Sequence, residues 1–381
     1  GLVGPGAQKV HVAAELLPGD GDQLLRVDSS LLDQALDIVC HLCSNRPCRP
    51  FQRADNLDRS GLEALSASCR YYLGNIAFHE EHYEEALELH EEALERRQGQ
   101  NLHRVAGNSL TAMGAVYLAL GNYPQALKSY REALALLEKH GGELDRAFPL
   151  IGLGRAMNHL GDYNAAARAL REALTLREGK DDIAGEAVAR LAIAENHLFM
   201  GQLERAQEEA TKALFQFNLL SRKALLADAE QLLGKIQIRL RQTESARRHL
   251  ENAFELHGQR GNLRSVAFDL AHLLRLAMIE QNSDEIARLS TQLEEAVKAL
   301  ARPDLEEQLH FRLFQGTQWL RNRGRSTSDP APFLESAYRE LLRKASHLDP
   351  ELRHQFLFQI AEYREILEEG TRAGLSADLA G

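Results

Sequence analysis

The residues best equipped for chemistry lie early in the chain. Cys40-His41-Leu42-Cys43, with Cys48 and Cys69 beyond, has the composition of a metal site. A structural zinc usually closes a tetrahedron between two such knuckles. Only one is present, and Cys40 and Cys43 fall one turn apart on a predicted helix, where cysteines act as small buried hydrophobes. His79-Glu80-Glu81-His82, with His90, superficially resembles a metalloprotease pattern. That pattern needs two histidines four apart on one helical face; these are three apart and straddle an expected turn. Gly152-x-Gly154 would cradle a phosphate only between a strand and a helix, and here it sits inside a helical pattern. The sequence has no Walker motif and no Gly-x-Ser-x-Gly elbow. No catalytic residue, cofactor or metal is expected, and a metal-dependent enzyme near Cys40 is the remote alternative.

What remains is recognition, which depends on the elements that present side chains. The stretch TAMGAVYLALGNYPQALKSYREALALL, residues 111–137, reads as two apolar-periodic helices joined by a turn at Gly121-Asn122-Tyr123-Pro124. The pattern returns every forty residues. Gly74, Gly114, Gly154 and Gly234 share one register. Ala86, Ala126, Ala166, Ala206 and Ala246 share a second, and Ala93, Ala133, Ala173, Ala213 and Ala253 a third. A fixed period of this length, each unit a helical hairpin, predicts a solenoid.

The series Gly114, Tyr117, Tyr123, Ala126, Tyr130, Ala133 resembles the tetratricopeptide repeat signature, in which small residues let paired helices approach and large ones fill between. The usual unit of that family is 34 residues; the unit of 40 is similar to the long-repeat branch of bacterial signalling proteins and some eukaryotic adaptors. The resemblance covers roughly residues 59–320. It implies an all-α, right-handed α-solenoid of about seven hairpins with capping helices.

Helix pairs are predicted near 59–79/83–97, 102–120/123–139, 143–160/163–178, 182–200/203–217, 221–240/243–257 and 261–280/283–300, then a lone helix near 303–322. Pro124 suits a first helical position. The signature decays late: Arg241 stands in the register of Gly121, Gly161 and Gly201, and Ile286 in that of the alanines. The expected organisation is a linker or frayed end over 1–27, an N-terminal capping helix and loop over 28–58, the repeat array over 59–322, capping helices near 333–346 and 350–369 within 323–369, and a disordered tail over 370–381. The start reads as a piece cut from a longer chain.

The resemblance also implies that the first helix of each hairpin lines a concave groove. Counting from the register glycine, it points to Tyr71, Asn75 and His79; Asn108 and Thr111; Arg155, Asn158 and His159; Glu195 and Phe199; Gln231, Lys235 and Arg239; and Arg275. Asn can pair with both N–H and C=O of an extended peptide, and Arg can take a carboxylate in two-point contact. A protein or peptide segment, another domain of a parent chain included, is the expected partner, and self-association is open. The net charge of −10 argues against direct nucleic-acid binding, which rests on phosphate neutralisation. No apolar run spans a membrane, and four cysteines make no disulfide framework, so a cytoplasmic setting is expected. The scarcity of lysine, nine residues, fits GC-rich bacterial coding. The first helix B is acidic through Glu84, Glu85, Glu88, Glu91, Glu92 and Glu95, while arginines gather at 239–264, which suggests electrical polarisation. The leading function is a non-catalytic protein- or peptide-binding scaffold. The alternative is a ligand-sensing or autoregulatory module of a larger ATPase, protease or transcription regulator.

Overall fold

The computed structural model describes residues 59–300, 302 and 306–375. The Cys40–Cys48 cluster and the expected capping helix over 28–58 lie outside them. The described residues form sixteen α-helices and no strand. The hairpins are α1 (Arg59–His79) with α2 (Tyr83–Gly99), α3 (His103–Ala119) with α4 (Tyr123–His140), and α5 (Ala147–His159) with α6 (Tyr163–Arg177). They continue as α7 (Ile183–Phe199) with α8 (Leu203–Leu219), α9 (Lys223–Arg239) with α10 (Thr243–Gln259), and α11 (Leu263–Glu280) with α12 (Ser283–Lys298). Then come α13 (Glu307–Arg321), α14 (Ala331–Ser346), α15 (Pro350–Gln359) and α16 (Ala361–Arg372). The expected single helix over 350–369 is two helices, because Ile360 takes an extended backbone, φ −84° and ψ 113°. Helix α16 also runs to Arg372, past the expected start of a tail at 370.

The forty-residue period is written into the backbone. The turn inside each hairpin uses one left-handed residue, with φ of 71°, 84° and 73° at Gly121, Gly161 and Gly201. Glu81, Arg241 and Gln281 occupy the same register at φ 63°, 62° and 57°. The decayed signature thus keeps its turn, at the cost of about 1–2 kcal/mol that a Cβ incurs there. Where caps are needed, Asn262 and Asn282 accept hydrogen bonds from the Ser265 and Glu285 amides.

Packing follows the same register. Both alanine series are fully buried, as is Ile286. A Cβ on Gly114 would fall 2.7 Å from Tyr130 Cε1, and one on Gly154 2.6 Å from Leu170 Cγ. These glycines are contact points between paired helices, and the Gly152-x-Gly154 pair is inside α5, against Tyr130 and Leu170. The repeats are tied by polar bonds that reach about one period: Arg104 to Asp145 at 2.7 Å, Asn196 to Asn158 at 2.7 Å, and Arg247 to Glu285 at 2.7 Å.

The chain divides into two compact units: residues up to Leu120 with Gln125–Leu153 and Thr175–Gly185, and Gly121–Pro124 with Gly154–Leu174 and everything from Glu186. In the first unit α1 touches α3; in the second α9 touches α11 and α11 touches α13. Within each unit, first helices of successive hairpins thus lie side by side.

Candidate functional site

In the first unit the three histidines of the metal-like pattern part ways: His79 and His82 are exposed, and His90 is a packing residue. His90 is buried on α2, where a Cβ at Gly74 would meet its ring at 2.8 Å. Burial, with the Arg97 charge, lowers its pKa to about 4, so it stays neutral. No group of three or more His, Cys, Asp or Glu able to hold a metal occurs among the described residues. Tyr71 is occupied by packing: Arg97 lies 4.5 Å over its ring, and its hydroxyl bonds Asn75. Thr111 Oγ1 donates to the Gly107 carbonyl at 2.9 Å. His79 and Asn108 are exposed.

In the second unit the expected residues fall into two sets. Asn158 is buried and accepts from Asn196 Nδ2 at 2.7 Å, while its own Nδ2 has no partner. His159 is partly buried, with its ring 5.8 Å from Tyr123 and 6.2 Å from Phe199. Burial lowers its pKa. Gln231 donates to Asp269 at 2.8 Å, and Arg239 donates to the Leu198 carbonyl at 3.0 Å. These four belong to the fabric between repeats. Arg155, Glu195, Lys235 and Arg275 occupy one register at forty-residue steps on α5, α7, α9 and α11. Arg155 and Glu195 answer each other at 3.7 Å. Arg275 is exposed and Lys235 half-buried, and Arg239 is exposed as well despite its bond to Leu198.

The expected polarisation is weaker than the arginine count suggested. Arg247 is held by Glu280 and Glu285, and Arg264 by Glu306. The acidic face of α2 is exposed as expected, with Arg70 drawn to Glu92.

Two features were not anticipated. The register 97, 137, 177, 217, 257, 297 places Arg97, Leu137, Arg177, Phe217, His257 and Val297 at the end of each second helix, so a buried cation alternates with a hydrophobe. Arg97 donates to Ser109 at 2.8 Å, Arg177 pairs with Asp182 and covers Phe148 at 4.1 Å, and His257 holds Asp269 at 2.7 Å. The alternation was readable in the sequence from the same period that revealed the alanines.

The second is a buried cluster formed by the C-terminal helices against the turn Gly121–Pro124. Lys344 Nζ lies 2.5 Å from Glu307 Oε2, and its stem lies where a Gly121 Cβ would be. Tyr363 bonds both Glu307 and Tyr123. Phe356 sits 5.6 Å from the Tyr123 ring and 4.7 Å from that of Tyr363. Burial pushes the Tyr123 hydroxyl up to about 12, against the Lys344 charge. Burial alone would lower the Lys344 pKa, but Glu307 outweighs it and holds the ammonium charged.

A tetratricopeptide repeat family model matches residues 65–139 and 105–179. No curated protein matches this chain. Among solved structures, a Rap conjugation gene regulator of plasmid pLS20 in complex with the Phr* peptide is 17% identical at a TM-score of 0.60, covering 91% of this chain and 94% of its own. A Rap protein complexed with competence and sporulation factor is 13% identical at 0.57, covering 96% and 99%. Aspartyl phosphate phosphatase F from Bacillus subtilis is 14% identical at 0.50, covering 100% and 97%. At these identities the likeness is one of fold. The family model thus finds tetratricopeptide repeats in residues 65–179, and helical hairpins of the same forty-residue period continue beyond them.

Proposed function

We propose that this chain is a non-catalytic scaffold that binds a protein or peptide segment along the inner layer of first-of-hairpin helices. One observation carries the reading. The inner register that packing leaves free holds the cations Lys235 and Arg275 on first-of-hairpin helices one period apart, while Arg239, Arg247 and Arg264 are engaged in ties between repeats. Extended helical surfaces of this kind recognise segments by groove burial. Two structures of similar fold are complexes, one with the Phr* peptide and the other with competence and sporulation factor. In this reading residues 59–322 are the recognition array and the helices that follow close it.

The test is capture of polypeptides by wild type against a Lys235→Glu/Arg275→Glu variant, with Lys298→Glu on exposed α12 as control. Polypeptides lost only from the inner-face variant support the scaffold; identical sets from all three proteins refute it.

The second reading, an autoregulatory or sensing module, is favoured by the C-terminal cluster. Glu362 of α16 accepts from Arg312 of the first-of-hairpin helix α13 at 2.8 Å, so α16 covers part of the surface a partner would use. A ligand that releases α14–α16 on binding, seen as faster amide exchange there, would support it; unchanged exchange would count against it.

A further inference from the structure

We propose that Ser328 accepts a phosphoryl group from a protein kinase that reads arginines ahead of its target, and that the phosphate then clamps the junction between α13 and α14. This holds whatever the first-of-hairpin helices bind.

Among the described residues, only the hydroxyls of Thr291, Ser326, Ser328 and Ser346 have an arginine three places before them. A guanidinium at a fixed offset is what a carboxylate-lined cleft takes in two-point contact, and charge patterns of this kind set the choice of kinase substrate. Local structure separates the four. Thr291 lies inside α12 and donates its hydroxyl to the Ala287 carbonyl at 3.1 Å. Ser346 closes α14 and donates to the Arg343 carbonyl at 2.8 Å. Neither can enter a cleft in extended form without unwinding its helix. Residues 326–330 belong to no helix. Ser326 and Ser328 also have a second arginine five places ahead, Arg321 and Arg323. Ser326 is half-buried, and its oxygen accepts from the Ser328 amide at 3.1 Å. Ser328 is exposed, with exposed Arg323 and Arg325 ahead of it.

In the transfer, Ser328 Oγ attacks the γ-phosphorus of ATP and the bond from that phosphorus to the β–γ bridging oxygen breaks. ADP leaves, and the hydroxyl proton passes to the catalytic carboxylate of the kinase. The product carries about −1.5 to −2 charges at pH 7 and three strong acceptor oxygens. Its surroundings are suited to receive them. Arg321 answers Asp329 at 3.1 Å and Arg325 answers Asp284 at 3.5 Å. All four side chains are more than half exposed, so both pairs are weak and readily exchanged. The phosphate would also lie two residues before Pro330, the N-cap of α14, at the positive end of that helix. It draws Arg321 and Arg325 together and ties the end of α13 to the start of α14. The two helices hold the ion pairs of Arg312 with Glu362 and Lys344 with Glu307, so a firmer junction bears on the whole C-terminal group.

The test treats the full chain with ATP and a protein kinase selective for arginine three and five residues before serine. Tandem mass spectrometry locates the phosphate. Ser328→Ala, Ser326→Ala and Arg325→Gln are run beside it, with a synthetic peptide of residues 319–332 as the same sequence free of the fold. Far-UV circular dichroism confirms that the variants fold. The expected result is one phosphate on Ser328, lost in Ser328→Ala and gained at the native rate in Ser326→Ala. Arg325→Gln should take it up about tenfold more slowly, the value of one charge-assisted hydrogen bond. Amide exchange in the first turns of α14 should then slow about fivefold, within what one or two new charge-assisted bonds supply. Phosphate on Ser326, Thr291 or Ser346 overturns the assignment, as does uptake that Ser328→Ala leaves intact. Transfer to the peptide but not to the full chain overturns it, because the fold then withholds the segment. Transfer to neither overturns it as well, because the arginine spacing is then not read. Exchange that is unchanged or faster after phosphorylation overturns the clamp.

Discussion

The buried pair His257–Asp269 offers a quantitative test of how the repeats are held together. His257 Nδ1 lies 2.7 Å from Asp269 Oδ2, Gln231 supplies the other carboxylate oxygen at 2.8 Å, and Asp228 stands 3.3 Å from His257 Nε2. Asp269 is completely buried. Burial lowers the His257 pKa, but the bonds to Asp228 and Asp269 outweigh it and carry it up to about 9, from an ordinary 6.5. Burial likewise raises the Asp269 pKa, so the cost of desolvating the carboxylate offsets part of what the imidazolium gains. One period later the same two registers hold Val297 and Leu309, both in one apolar core cluster. The fold therefore accepts a hydrophobic pair at this joint. His257→Val alone strands a buried carboxylate and should cost about 3–5 kcal/mol. The double variant His257→Val/Asp269→Leu copies the next joint and should fall within about 1 kcal/mol of wild type, or above it.

The pH dependence has a definite sign. Because the folded pKa of His257 lies above the unfolded one, its contribution is complete below 6.5 and disappears as pH rises through about 9. At about 1.4 kcal/mol per pKa unit it amounts to about 3 kcal/mol at most. Urea denaturation followed by circular dichroism, with amide exchange in α10 and α11, measures both effects. A double variant as unstable as the single one would refute the reasoning. So would a wild type that gains stability between pH 7 and 9 relative to the double variant.

Gly114→Leu should lower stability by about 1–3 kcal/mol through overpacking against Tyr130, read from the denaturation midpoint. Lys235→Glu should leave that midpoint within about 0.5 kcal/mol, as for surface sites away from special features; a large loss would mean the inner face is misassigned. Lys344→Met leaves the Glu307 carboxylate buried without its ammonium and should cost about 3–5 kcal/mol. Limited proteolysis should then cut first in α14–α15, and unchanged protection would show that the cluster does not hold these helices.

Much of the fold is legible in the sequence because a solenoid is nearly one-dimensional: hairpins pack mainly on their neighbours in the chain, so local rules repeat. Gly114, Ala126 and Ala133 state their packing role by type and spacing, and the hairpin limits follow to within a few residues. Even Arg241, a departure in type, keeps the left-handed turn because both flanking helices demand it. The same sequence also puts Lys235 and Arg275 in one register, since that relation depends only on the forty-residue period.

Tertiary structure alone decided which inner side chains are available. Whether Asn158, Gln231 or Arg239 faces a ligand depends on whether a neighbour one period away offers Asn196, Asp269 or the Leu198 carbonyl, and such pairing has no period in the sequence. The C-terminal cluster was equally hidden. Lys344, Tyr363 and Phe356 come from far along the chain to meet Gly121 and Tyr123, and no local pattern encodes a contact over that separation. Periodicity fixes what each residue shares with its counterparts in other repeats; burial and charge pairing, which depend on three-dimensional neighbours, determine where one repeat differs from the next.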